Sequence, residues 1–150
     1  MKICTLPLLL AGLMLAAGAH ASAATHVTAT QGWIRILPGK LPAGAYVTLT
    51  NSSDQAEALS GASSAAYAEV MLHQSSTQGG VSRMYKVKSL KIPAHGTASL
   101  TPGGYHLMLM KAVRAVKPGD IVKITLRFSD GSSLVSDFIA RPANAMGASD

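Results

Sequence analysis

Four side chains in the second half of this 150-residue chain could together hold one soft metal ion: His73, Met84, His106 and Met108. Ten residues separate His73 from Met84, twenty-one separate Met84 from His106, and one lies between His106 and Met108. Two imidazoles and two thioethers make an uncharged ligand set. Thioether sulfur binds hard cations poorly and suits Cu(I), and imidazole suits several metals including copper. The set contains no thiolate, since the single cysteine, Cys4, stands at the other end of the chain. A blue-copper electron-transfer centre needs a cysteine thiolate with two histidines. The chemistry that remains is the reversible holding of Cu(I) by neutral donors.

Strands are the elements that would bring these residues together. Successive side chains on a strand point to opposite faces, so His106 and Met108 share a face and can chelate one ion, and Met71 and His73 share one in the same manner. The stretch Glu69 to His73 reads as a strand followed by a Ser/Thr/Gln/Gly loop, and Val81 to Val87 as its return, which carries Met84 across a hairpin. Pro102-Gly103-Gly104 turns the chain into a strand from Tyr105 to Val113, placing His106 near one rim. Further strands are predicted over Thr25–Ile36, Ala45–Thr50, Leu90–Pro93 and Thr97–Leu100, with a hairpin of Ile121–Phe128 and Ser133–Ile139 around Ser129-Asp130-Gly131-Ser132. Short strands with turn signals at this spacing predict an all-β domain, a sandwich or barrel. No stretch of the expected domain shows a helical period, and no internal repeat is present.

The first residues read as a secretory signal peptide. Met1-Lys2 is a short positive region, Leu6 to Ala17 is apolar, and small residues follow, so cleavage is expected after Ala21 or Ala23. The apolar run is about a dozen residues, where a membrane span needs about twenty. A lipid-modified cysteine would end that run, whereas Cys4 precedes it. Residues 1–23 are thus the expected signal, 24–140 the expected single domain and 141–150 a flexible tail. The mature chain of roughly 127 residues is large enough to bury its own core and has no thiol with which to form a disulfide. The formal charge of +6 falls by one with the loss of Lys2. A basic exported protein can meet an acidic partner or a membrane surface, but charge alone is better read as serving simple solubility. Without an arginine-rich run or interleaved aromatics, nucleic acid is not expected.

The pattern His73, ten residues, Met84, twenty-one residues, His106-x-Met108 resembles the metal motif of the periplasmic Cu(I) chaperones called PCu(A)C-like proteins. Trp33-Ile34-Arg35, Ala45-Tyr46 through Asn51, Pro102 to Met110 and Lys117-Pro118-Gly119-Asp120 also look like segments of that family, so the resemblance runs from about Thr28 to Ile139. Gln74 departs from it, because many relatives carry a methionine near that position. The resemblance implies a cupredoxin-like Greek-key β-sandwich. It also implies a periplasmic, non-enzymatic role: carrying Cu(I) to the assembly of a cytochrome c oxidase copper centre. The implied partner is a copper-accepting oxidase subunit or a thiol-containing assembly protein, met by a monomer without stable membrane insertion.

Two other readings belong to different classes. A copper-dependent monooxygenase would also use His and Met ligands, but it needs a redox cycle and a substrate cleft, and the sequence offers one site and few aromatics. A structural β-sandwich would bury the same residues as core. Among the remaining candidates, Met71 and Met110 are expected to be core, His95 solvated in its Pro/Gly turn, and Met146 in the tail. Trp33 and Tyr105 are expected to pack rather than to shield the site. If cleavage falls after Ala23, the new terminus Ala24-Thr25-His26 offers an amine, two amides and an imidazole, a tetragonal nitrogen set that suits Cu(II). Cleavage after Ala21 leaves His26 fifth and abolishes that set.

Overall fold

The computed structural model describes residues 21–150. The expected signal peptide lies outside the described residues except for its last three, and Ala23 is wholly buried at the start of a one-turn helix, α1 (Ala23–His26). The Ala23 amide donates to Asp130 Oδ2 at 2.7 Å and the Ala24 amide to Ser132 Oγ at 3.1 Å. These contacts tie the start of the described chain to the turn at residues 129–132.

Ten strands follow: β1 (Val27–Arg35), β2 (Ala43–Asn51), β3 (Glu57–Ser63), β4 (Tyr67–Gln78), β5 (Val81–Lys86), β6 (Leu90–Ile92), β7 (Thr97–Leu100), β8 (Tyr105–Ala112), β9 (Ile121–Phe128) and β10 (Ser133–Arg141). They form one sheet in the order β5-β4-β8-β2-β1-β10-β9-β3-β6, with β7 also paired to β2. The sheet curls around a main core and is not closed, because among the described residues β5 and β6 end it as free edges. All pairs are antiparallel except β1 with β10, where Trp33, Ile34 and Arg35 lie beside Ile139, Ala140 and Arg141.

Alternation of side chains builds the core. On β9, Val122, Ile124, Leu126 and Phe128 are buried while their neighbours face outward. On β8, Leu107 and Leu109 join Leu72 of β4 and Ala45, Val47 and Leu49 of β2 in the same cluster. The opposite parity of β8, namely His106, Met108 and Met110, therefore lies on the outer face of the sheet. This parity is set by the core: a one-residue slip would bury the histidine row and expose the leucines.

The structure departs from the sequence reading in four places. Strand β3 was not expected, since Glu57-Ala-Leu-Ser-Gly-Ala-Ser lacks the branched and aromatic residues that usually signal a strand. It is held by pairing on both sides, with β9 and β6. Strand β4 runs on to Gln78, through the polar stretch expected to be loop, and the loop shrinks to Gly79-Gly80. Both glycines have positive φ, 57° and 76°, the conformation that a two-residue hairpin turn demands. The short helix α1 was likewise not expected.

The fourth difference is the segment 141–150, expected to be a flexible tail. Arg141 completes β10, and the residues after it fold back against the sheet. Ala145 is buried on Trp33 and Tyr46, whose rings are 4.6 Å apart. Arg35 donates to the Ala145 carbonyl from Nε at 3.1 Å and Nη2 at 2.7 Å, and its guanidinium lies over both rings. Arg141 forks onto the Ala148 carbonyl. Replacing Arg35 with Ala removes both hydrogen bonds to Ala145 and the cation over the rings. It should lower unfolding stability by about 1–3 kcal/mol in a denaturant titration and release residues 142–150 to fast amide exchange. Lys at this position should restore only part of the loss, because it lacks the planar fork. Unchanged stability and exchange in Arg35→Ala would show that the tail is not held by this residue.

Candidate metal centre

The four predicted residues come together on the outer face of β5, β4 and β8. His73 of β4 stands directly opposite His106 of β8, with ring centroids 5.9 Å apart and the rings nearly edge-on at 71°. Met108 pairs with Met71, one step along the same face. Met84 of β5 pairs with Ser75, one step in the other direction, which places it diagonal to His73 on the same face, a separation of about 7–8 Å that long side chains can span. Met84, His106 and Met108 line one groove of about 180 Å3 with Arg35, Gly44, Tyr46 and Ser75.

The two imidazoles carry the chemical information. The carbonyl of Gly104 lies 3.1 Å from His106 Nδ1. A carbonyl only accepts, so Nδ1 bears the proton and Nε2 presents its lone pair. Among the described residues that Nε2 is buried with no hydrogen-bond partner, and so is Nδ1 of His73. Buried polar atoms are nearly always paired, and an unpaired one calls for an explanation. A backbone carbonyl that fixes the tautomer of an imidazole is also the usual support behind a metal-bound histidine. Burial holds the pKa of His73 below its ordinary value, reinforced by the neighbouring His106 and Lys86. The ring therefore stays neutral, the form a metal requires.

The donors differ in exposure. His106 is 5% exposed, whereas Met84 is 51% exposed and reaches the groove from the edge strand. The set has buried nitrogens on one side and an accessible thioether on the other. Among the described residues, no group of three or more His, Cys, Asp or Glu side chains comes together to hold a metal. The four residues thus fit a soft, low-charge ion and offer nothing to a hard one.

Several neighbours were not singled out from sequence. Gly44 lies opposite Met108, and a Cβ there would sit 2.6 Å from Tyr46 Oη. Only glycine lets the Tyr46 ring lie across the strand and wall the groove. Burial pushes the Tyr46 hydroxyl up in pKa, against the pull of Arg35, so the wall brings no negative charge. The signal for these residues was present in the Trp33-Ile34-Arg35 and Ala45-Tyr46 segments, but not in ligand chemistry. Met71 and Met110, expected as core, are half-buried on the same outer face as the histidines. Trp33 packs on Tyr46 as expected. His95 is largely exposed and 2.5 Å from Asp54, and His26 closes α1 beside the loop at Ser52.

Among the described residues no helix is long and apolar enough to cross a membrane. The family described as "Putative lipoprotein LpqE-like" matches residues 26–139. A relative from Leifsonia xyli subsp. xyli (strain CTCB07), "Putative lipoprotein Lxx21020", is 34% identical over 111 residues, which are 73% of this chain and 66% of the relative. The chain thus spans just under two thirds of that protein's length. Among solved structures, Cu(I)-bound DR1885 from Deinococcus radiodurans is 37% identical, with a TM-score of 0.63 over 87% of this chain and 85% of its own. The copper-bound PCuAC domain from PmoF2 shares the fold at 22% identity, with a TM-score of 0.66 over 82% of this chain and 98% of its own. The fold, an open all-β sandwich of the PCuAC type, and the match over residues 26–139 together place this chain in the LpqE-like family.

Proposed function

We propose that this protein is an exported copper carrier. It binds one Cu(I) through His73, Met84, His106 and Met108 and hands it to a copper-accepting protein in the periplasm. The observation that carries this reading is the pair of buried imidazole nitrogens, unpartnered among the described residues, on adjacent strands whose same face bears two thioethers. The Cu(I)-bound state of the 37% identical DR1885 supports the choice of metal and oxidation state. The neutral donor set supports a carrier over an enzyme: it holds Cu(I) without thiolate charge, so a partner's thiolates can draw the ion away. The receiving protein fits a thiol-bearing subunit of cytochrome c oxidase or a factor that assembles its copper centre.

X-ray absorption of the Cu(I)-loaded protein should show two nitrogen and two sulfur neighbours, and a spectrum fitted by nitrogen and oxygen alone would overturn the ligand set. Met84→Leu and Met108→Leu should each weaken Cu(I) binding while costing less than about 1.5 kcal/mol of stability, because the swap nearly conserves volume. If both variants instead lost stability and kept their copper affinity, the methionines would be packing residues.

Protons compete with copper for the imidazoles. An ordinary histidine titrates near 6.5, and burial lowers that value for His73. The sign follows from this depression: His73 favours the folded state above the unfolded value and loses that contribution as pH falls through its own lower pKa. In the metal-free protein, the His73 ring signals should titrate below the ordinary range by NMR. Cu(I) affinity should hold near neutrality and fall in acid. An affinity that stays flat to pH 5 would remove the imidazoles from the site.

A further inference from the structure

Among the described residues the strand that carries Met84 is a free edge of the sheet, and its open backbone groups belong to Met84 and its neighbours. Val87 N donates to Leu72 O at 3.0 Å, so Leu72 and Val87 form a hydrogen-bonded pair. In an antiparallel ladder such pairs alternate with unbonded ones. Along the register from Leu72–Val87 to Gln78–Val81, the backbones of Val81, Arg83, Tyr85 and Val87 turn toward β4. Those of Ser82, Met84 and Lys86 turn outward. The same alternation sends the Ser75 amide toward β8, where it donates to Gly104 O at 3.0 Å. Every residue of β5 is exposed, including the large apolar Val81, Met84 and Tyr85. An unprotected edge of this kind is a template for another strand.

Charge narrows what that strand can be. From Val70 to Gly119 the chain contains no Asp or Glu, yet it contains seven Lys and Arg residues, three of them at Arg83, Lys86 and Lys88. Glu69, the nearest carboxylate on β4, is paired with Lys111 at the far end of that strand.

We infer that the copper acceptor docks by adding an extended, acidic, cysteine-bearing segment to β5, as a strand bonded to the outward backbone of Ser82, Met84 and Lys86. This rests on the carrier reading above. Side chains directly opposite on paired strands lie about 4.5–5.5 Å apart at Cβ, so a cysteine opposite Met84 sits on the face that bears the metal. The exchange balances: the Cu–S bond to Met84 breaks and a Cu–S bond to the cysteine forms. The thiol proton passes to solvent and copper stays Cu(I). Strand addition supplies affinity through the backbone and selects its partner through alternate side chains.

The probe is a nine-residue peptide with one central cysteine between alternating Asp and Val residues, compared with its Lys-for-Asp counterpart. With the metal-free protein, the Asp peptide should protect the amides of Ser82, Met84 and Lys86 from exchange, and the Lys peptide should not. Ser82→Pro removes an outward N–H at an edge position where proline is tolerated. It should weaken peptide binding about tenfold, as expected for a lost and obstructed backbone bond, and leave Cu(I) affinity unchanged. The double variant Arg83→Glu, Lys88→Glu keeps the ladder and should lose the Asp peptide as well. With Cu(I)-loaded protein, the peptide should take the metal and its Cys-to-Ser form should dock without taking it. Equal binding of the Asp peptide by wild type and Ser82→Pro, protection of amides elsewhere, or a dimer of this chain sealed through β5 in sedimentation would each overturn the inference. Failure of the protein to bind Cu(I) would overturn the carrier reading alone, since docking is read on the metal-free protein.

Discussion

Two imidazoles held edge to face across β4 and β8, each with a buried nitrogen that bonds to nothing among the described residues, are the constraint around which the rest is arranged. Leaving a polar atom buried and unpaired costs roughly 1–3 kcal/mol each. The fold tolerates this because the other face of the same two strands is fully committed. Leu72, Leu107 and Leu109 lock the register of β4 against β8 from below. The Gly104 carbonyl then occupies one nitrogen of His106 and so decides which nitrogen is left open. The open valences are a property of the folded register, and a bound soft cation is what would satisfy them.

In the proposed carrier, the donors divide the work of holding from the work of release. His106 is rooted in the middle of the sheet beside the core, and His73 is opposite it. Met84 arrives on an arm: beyond His73 the β4–β5 hairpin stands clear of the core, and β5 is exposed along its whole length. A thioether on such an arm is the donor that can be displaced first without disturbing the nitrogens. A site built wholly from β4 and β8 would hold its ion equally well, but it would offer an incoming ligand no exposed donor to replace.

Much of this was legible in the sequence, for identifiable reasons. The period of two in Tyr105 to Ala112 states that His106 and Met108 share a face and that Leu107 and Leu109 share the other. The Pro-Gly-Gly turn places that pair at a strand's beginning, and Gly79-Gly80 returns the chain with Met84. The polar run from Gln74 to Gln78 misled because it reads as loop. It is strand because β5 pairs with it through the glycine turn, not because it has a buried face. Strand β3 escaped notice because its small residues are chosen by neighbours on both sides. The composition of the tail reads as flexible, yet what orders it is a long-range contact, Arg35 and Arg141 reaching carbonyls of Ala145 and Ala148, which no local pattern announces. Tyr46 and Gly44 matter through a single close approach between them, and spacing alone does not reveal that.

The electrostatics of the groove complete the choice of ion. His and Met donors bring no negative charge, Tyr46 stays a neutral phenol, and the surrounding ionised groups are cations: Arg35 lines the groove and Lys86 lies opposite His73. Coulomb energy scales with the product of charges, so a divalent ion placed here would meet twice the repulsion that a monovalent ion meets, with no carboxylate to offset it. The preference of thioethers for soft ions and the sign of the surrounding field thus act in the same direction. Together they support the Cu(I) of the proposed function over Cu(II) and over the hard divalent ions that a carboxylate site would collect. The same field is complementary to the acidic segment inferred above, so the charge that opposes a divalent ion in the groove and the charge proposed to select the partner have one sign.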